Sequence, residues 1–158
     1  MARSLIGGLI DDGMKPQFIR VSEPDLARRE ELKNQFGVTV LADNVAAVKE
    51  SDIVIFAVKP QVIKTALLPL TEGLSEKKPL LISIAAGISI SNLESWVGDD
   101  LPIVRAMPNT PALINTGITA LFANSRVSLE QRDLAKSIMG AVGKVVWVKE
   151  ETLMDTVT

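Results

Sequence analysis

Ile53–Val58 reads IVIFAV, an unbroken β-branched and apolar run with no polar alternation. A strand with one wet face alternates, whereas a run like this one belongs to a strand covered on both faces, the situation of parallel sheets. Parallel strands cannot be joined by tight hairpins and need long crossovers, most often helices. The flanking chain supplies them. Further strands are predicted at Gln17–Ser22, Val38–Leu41, Leu80–Ala85, Ile103–Met107, Ile118–Ala123 and Lys144–Val148. Between them helices are predicted at Asp25–Phe36, from Asp43 or Asn44 to about Glu50, at Gln61–Leu70, at Ser91–Val97 and at Ser128–Met139. Pro24 sits where a first helical turn tolerates proline, and Gly37 is placed to stop the helix that follows. An opening helix covers Met1–Leu9, with Gly13 at its end, and a last helix begins near Glu150. The alternation predicts one α/β domain with a mostly parallel sheet and helices on both faces.

Composition narrows the chemistry. Seventeen Lys+Arg against 19 Asp+Glu leave a net charge of -2, and aromatics are 4% of the 158 residues. Neither a basic stripe for phosphates nor an aromatic platform for bases is available, so nucleic acid is not expected as a partner. The chain has no Cys, His or Tyr. A cysteine nucleophile, a Ser-His-Asp triad and a thiolate or imidazole metal site are thereby excluded from these residues, and no metal is expected. No apolar run reaches the roughly 18 residues of a membrane span, and no secretory signal opens the chain, so a cytoplasmic protein with no membrane association is expected.

Ligands in such folds bind at the carboxyl ends of the strands. Ala85-Ala86-Gly87 leaves backbone N–H groups unshielded there, which suits a flat ligand or phosphate and equally an ordinary left-handed turn. Lys59 in Val58-Lys59-Pro60-Gln61 either meets an anion or is a solvated helix start. In Arg105–Pro111 (RAMPNTP) two prolines stiffen the chain around Asn109, which presents its amide to a ligand or satisfies local backbone groups. Glu150 and Glu151 are either acids for chemistry or first-turn acids suited to a helix dipole. Without histidine, these parts suit a reaction whose hard step a cofactor supplies, such as hydride transfer.

AVKPQ at Ala57–Gln61, SIAAG at Ser83–Gly87 and RAMPNTPALINTG at Arg105–Gly117, in that order, resemble Δ1-pyrroline-5-carboxylate reductase. MARSLIGGL at Met1–Leu9 resembles the segment after that family's glycine-rich turn, and ETLMDTVT at Glu151–Thr158 the approach to its helical C-terminal domain. The resemblance implies a Rossmann-like dinucleotide-binding domain over 1–150 and the start of a dimerisation domain over 151–158. It implies reduction of the imine of 1-pyrroline-5-carboxylate to L-proline by hydride from NADPH or NADH, in a homo-oligomer assembled through the C-terminal domain. Carried over, Met1 would abut the cofactor at the turn, Ser22 the adenosine ribose or its 2′-phosphate, and Asn44 the adenosine end. Ala57, Val58 and Lys59, with Ser83, Ala85 and Ala86, would line the pyrophosphate and nicotinamide side. Asn109 would fix the nicotinamide and Glu151 would approach the substrate. No catalytic residue is assigned.

Two departures qualify the likeness. The family's first strand and GxGxxG-type turn precede the part matched here; that strand is central in the 3-2-1-4-5-6 order, so two unpaired strand edges are expected inside the sheet. The family's LSGSGPAY-like segment lies beyond Thr158, so these residues are expected to be a fragment, inactive by themselves. Cofactor choice turns on Glu23, which suits a free ribose 2′-hydroxyl, against Ser22 with Arg28 or Arg29, which suit a phosphate; the family likeness favours NADP. The alternatives are a dehydrogenase of the 3-hydroxyacid or 6-phosphogluconate type and a non-catalytic dinucleotide-binding module.

Overall fold

The computed structural model describes residues 1–109 and 117–156. Its elements run α1 (Ala2–Asp11), β1 (Arg20–Ser22), α2 (Leu26–Phe36), β2 (Thr39–Leu41), α3 (Asn44–Val48), β3 (Ile53–Phe56), α4 (Pro60–Leu67), α5 (Thr71–Lys77), β4 (Leu80–Ser83), α6 (Ile90–Val97), β5 (Ile103–Pro108), β6 (Gly117–Ala123), α7 (Leu129–Gly140) and β7 (Gly143–Trp147). Short 3₁₀ turns cover Pro16–Phe18, Leu68–Leu70 and Glu151–Thr156. The α/β architecture is the one the sequence predicts. β3, β4 and β5 are parallel, β6 returns antiparallel to β5, and β7 runs parallel to β6, in the order β3-β4-β5-β6-β7. β1 and β2 form a separate two-stranded parallel sheet. Among the described residues, one edge of β1 and one edge of β3 therefore carry no neighbouring strand.

The caps explain most boundaries. Asp25 and Asp43 accept from backbone N–H groups at the starts of α2 and α3, and Ser89 and Ser128 build reciprocal capping boxes on α6 and α7. Gly37 ends α2 in the left-handed conformation, φ 69°. Pro24 lies outside α2, because Asp25 takes the cap.

Several expectations shift. The Gln17–Ser22 strand shortens to Arg20–Ser22, since Pro16 locks its own φ and starts a 3₁₀ turn. IVIFAV contributes only Ile53–Phe56 as strand; both its faces are packed, Val54 and Phe56 buried on the α4–α6 side and Ile53 and Ile55 half-buried on the α1–α7 side, while β4 and most of β5 are buried throughout. The chain from Thr71 to Lys77, given no element above, is α5, held by the buried Leu74. The last helix takes 3₁₀ form.

Both faces of the large sheet are covered. Ile63, Leu67, Leu74, Leu93 and Val97 from α4–α6 pack on Val54, Phe56, Leu81 and Ile103. Leu5 from α1 and Ala135, Ile138 and Met139 from α7 pack on Leu80, Ile82, Val104, Ala106 and Leu121. The residue next to Leu5, Ile6, enters a different core with Leu32 and Val38, against which Val21 and Val40 of the small sheet lie. α1 therefore joins the two sheets. It fits closely because Gly8 has no side chain where α1 meets the end of α7 at Ala141.

Candidate functional site

Parallel strands bring their carboxyl ends to one side, and most of the residues singled out above lie there. Ser22 closes β1 and donates its hydroxyl to Asn44 Oδ1 at 2.5 Å, so the two residues form one physical unit. Ala57, Val58 and Lys59 follow β3 as an exposed segment, with Lys59 as the residue before α4. Ser83 ends β4 buried, and its Oγ accepts the Ala85 N–H at 3.4 Å. Ala85 is buried, whereas Ala86 and Gly87 are exposed and Gly87 takes a φ of 72° with nothing within 4 Å of a would-be Cβ. The left-handed turn is present, and the backbone at Ala86 and Gly87 is exposed. Met1 precedes α1 and packs, as Ile84 does, against the α1–α7 face of the sheet. Met1 is the N-cap residue of α1, whose first turn carries no acid.

Asn109 closes the β5–β6 hairpin: its N–H donates to Ile118 O at 3.2 Å and its Oδ1 accepts the Ile118 N–H at 2.9 Å. The local reading is realised. The rest of RAMPNTPALINTG up to Gly117, residues 110–116, lies outside the described residues. Glu151 reaches across 61 residues: its Oε1 accepts the Ile90 N–H at 2.7 Å and faces Arg105 Nη1 at 3.3 Å. Arg105 is 3% exposed. The sequence motif contains Arg105 without giving it a role. A signal is present, however, as a lone cation inside the apolar strand IVRAM.

Just after β1, Glu23 Oε1 accepts the Asp25 N–H at 3.0 Å, and Arg29 Nη1 donates to the Glu23 and Pro24 carbonyls at 2.7 and 2.8 Å. Arg28 is exposed. Two carboxyls are held below their ordinary range, Glu50 by its hydrogen bond and charge contact with Arg20 and Asp100 by those with Lys78. Both precede strands and lie at the opposite ends from the site. So do Asp52, Ile53 and Leu80, which line a depression of about 610 Å³. A smaller one of about 260 Å³ lies between α1 and α2. Neither lies at the carboxyl ends of the strands, where most of the residues singled out from the sequence are. Among the described residues no cluster of acids could hold a metal ion, and no helix is long and apolar enough to cross a membrane.

Residues 1–87 match the family described as "NADP oxidoreductase coenzyme F420-dependent". The chain is 41% identical over all its 158 residues to a pyrroline-5-carboxylate reductase of Pseudomonas aeruginosa and 43% identical to one of Synechocystis, covering 58% of each. It thus spans less than two thirds of the length of these relatives. A solved pyrroline-5-carboxylate reductase from Coxiella burnetii superposes over 97% of the chain and 57% of its own length, with TM-score 0.95 and 42% identity. A Plasmodium falciparum pyrroline carboxylate reductase with NADP bound superposes over 96% of the chain and 55% of its own, with TM-score 0.82 and 27% identity. Prephenate dehydrogenase from Aquifex aeolicus, at 16% identity and TM-score 0.78, shares the fold.

Proposed function

Since the chain belongs to that NADP oxidoreductase family and is similar from end to end to pyrroline-5-carboxylate reductases, we propose that it is the pyridine-nucleotide-binding part of an enzyme reducing the imine of 1-pyrroline-5-carboxylate to L-proline. The observation that carries the proposal is the group of small or open segments that follow the carboxyl ends of the parallel strands β3 and β4. Met1, Ala57, Val58 and Lys59 are assigned to the pyrophosphate, with Lys59 the cation of the set. Ser83, Ala85 and Ala86 give the nicotinamide a surface with little side-chain bulk, and Asn109 fixes the hairpin beside it. When bound, the nucleotide supplies the hydride, so the protein's share is orientation and exclusion of water.

At the other end, Ser22 and Asn44 receive the adenosine. Glu23 is turned to the Asp25 N–H and Arg28 is exposed, an arrangement suited to a 2′-phosphate; we therefore favour NADPH over NADH. Assembly as a homo-oligomer through residues after 150 and a cytoplasmic setting complete the proposal.

The test is a titration with NADPH and NADH followed by nicotinamide fluorescence, with turnover on pyrroline-5-carboxylate measured for the full coding sequence and for these 158 residues. Nucleotide binding by both proteins, tighter for NADPH, with turnover only by the longer one, is expected. Absence of binding by both refutes the site.

A further inference from the structure

Among the described residues, Arg105 is the one charged residue buried in the core. A guanidinium removed from water is tolerated only when paired, and Glu151 supplies the partner carboxylate. The same Oε1 takes the Ile90 N–H, the first helical donor of α6, which Ser89 does not serve because its hydroxyl accepts from Asn92. One oxygen thus ties together three segments far apart in sequence: β5, the start of α6 and the turn that begins at Glu151. Met154 reinforces the contact, fully buried against Met107 and Ala120.

The tied segments are those that flank the nicotinamide surface. Ala85 and Ala86 lie just before Ile90, and Met107 leads from Arg105 into the hairpin. We propose that Arg105 and Glu151 are positioning residues that set the spacing between the nicotinamide-bearing loops and the chain beyond Glu151, and hence the distance over which hydride passes. This rests on the reductase reading above. It assigns Glu151 a role through its neighbours rather than a contact with substrate. A local side chain would suffice merely to cap α6; a carboxylate shared with a buried cation from the central sheet also fixes how the segments lie relative to one another.

The experiment uses the full-length protein, as wild type and as Arg105→Lys, Glu151→Ala and Glu151→Gln. It measures nucleotide Kd, kcat, KM for pyrroline-5-carboxylate and the primary isotope effect with NADPH deuterated at the transferred position. Misplacement of reacting groups by about 1 Å costs on the order of 100-fold in rate. Accordingly Glu151→Ala and Arg105→Lys should lose roughly ten- to 100-fold in kcat with Kd and KM little changed, and should show a larger isotope effect as hydride transfer becomes limiting. Glu151→Gln keeps an oxygen for the Ile90 N–H and should recover part of the loss. A KM that rises in both Glu151 variants would place Glu151 on the substrate and overturn the proposal. A lower melting point with wild-type kcat per nucleotide site and wild-type isotope effect would reduce the pair to a staple and overturn it too. Should Glu151→Ala fail to fold, Arg105→Lys decides: wild-type kcat there refutes the proposal. A wild type that binds nucleotide but reduces no cyclic imine overturns the reductase reading, and this inference with it.

Discussion

Gly8→Ala is the substitution whose sign the structure reverses from the usual rule. In a helix interior, replacing glycine by alanine gains about 1 kcal/mol. At Gly8 the added methyl would fall inside contact distance of the Ala141 carbonyl oxygen, with the carbonyl carbon at 3.0 Å and the Ala141 Cβ at 3.2 Å. None of these atoms can rotate away, so α1 must move off the end of α7. Forcing an extra methyl group into a packed contact costs about 1–3 kcal/mol, and with rigid backbone opposite the upper part of that range applies. The net expectation is a loss of about 1–2 kcal/mol. For a domain of this size that is a drop of roughly 2–8 °C in melting temperature. Gly73→Ala in α5, where nothing lies within 4 Å, is the control and should gain about 0.5–1 kcal/mol. Urea unfolding followed by the fluorescence of Trp96 and Trp147 reports both. A Gly8→Ala midpoint at or above wild type, with unchanged m-value, refutes the close approach of α1 to α7.

Other outcomes follow from single contacts. Ser128→Ala removes the hydroxyl that accepts the Gln131 N–H at 3.1 Å and should cost about 1 kcal/mol in urea unfolding, without altering nucleotide affinity. Arg20→Ala should raise the Glu50 titration midpoint toward the ordinary glutamate value, as read by NMR. Because the folded-state value is the lowered one, the stability that this contact contributes is present above the unfolded-state pKa and fades as pH falls through the folded-state value; the wild-type advantage should therefore vanish in acid. Ala86→Phe places a ring on the proposed nicotinamide surface; since Ala86 is exposed, stability should hold while nucleotide Kd rises about tenfold or more, about 1.4 kcal/mol. An unchanged Kd would remove Ala86 from the site.

What the sequence made legible was local. Gly37, Asp43 and Ser128 act within four residues of themselves, and each ends or starts its helix where the local sequence says it should. Neighbour-dependent features were not legible in the same way. IVIFAV is apolar enough for a central strand, but how deeply each residue is buried depends on what lies beside it, and among the described residues β3 pairs with β4 alone. α5 is hidden in the sequence because TEGLSEK carries a single apolar side chain, Leu74, whose burial against the sheet comes from tertiary packing rather than periodicity. For Asn109 the residues allowed both a ligand contact and a local bond; the hairpin register, Pro108 opposite Thr119, makes the local bond with Ile118. Arg105 and Glu151 lie 46 positions apart, and nothing in either neighbourhood names the other.

The same distinction locates what holds the site together. Leu5 and Ile6 are adjacent in α1, yet one fills the core of the large sheet and the other that of the small sheet. A helix turns about 100° per residue, so two neighbouring apolar positions can serve two cores only if the helix lies in the angle between them. Ser22 and Asn44, proposed above for the adenosine, are carried by the small sheet and α3, whereas Ala57–Lys59, Ala85–Ala86 and Asn109 follow strands of the large one. A nucleotide spanning both halves would therefore experience their relative placement chiefly through α1 and the contacts of α3 with its surroundings. On the proposed placement, close packing at Gly8 and orientation of the two ends of the cofactor are one constraint, and Gly8→Ala should weaken nucleotide binding although Gly8 is not itself among the proposed contact residues.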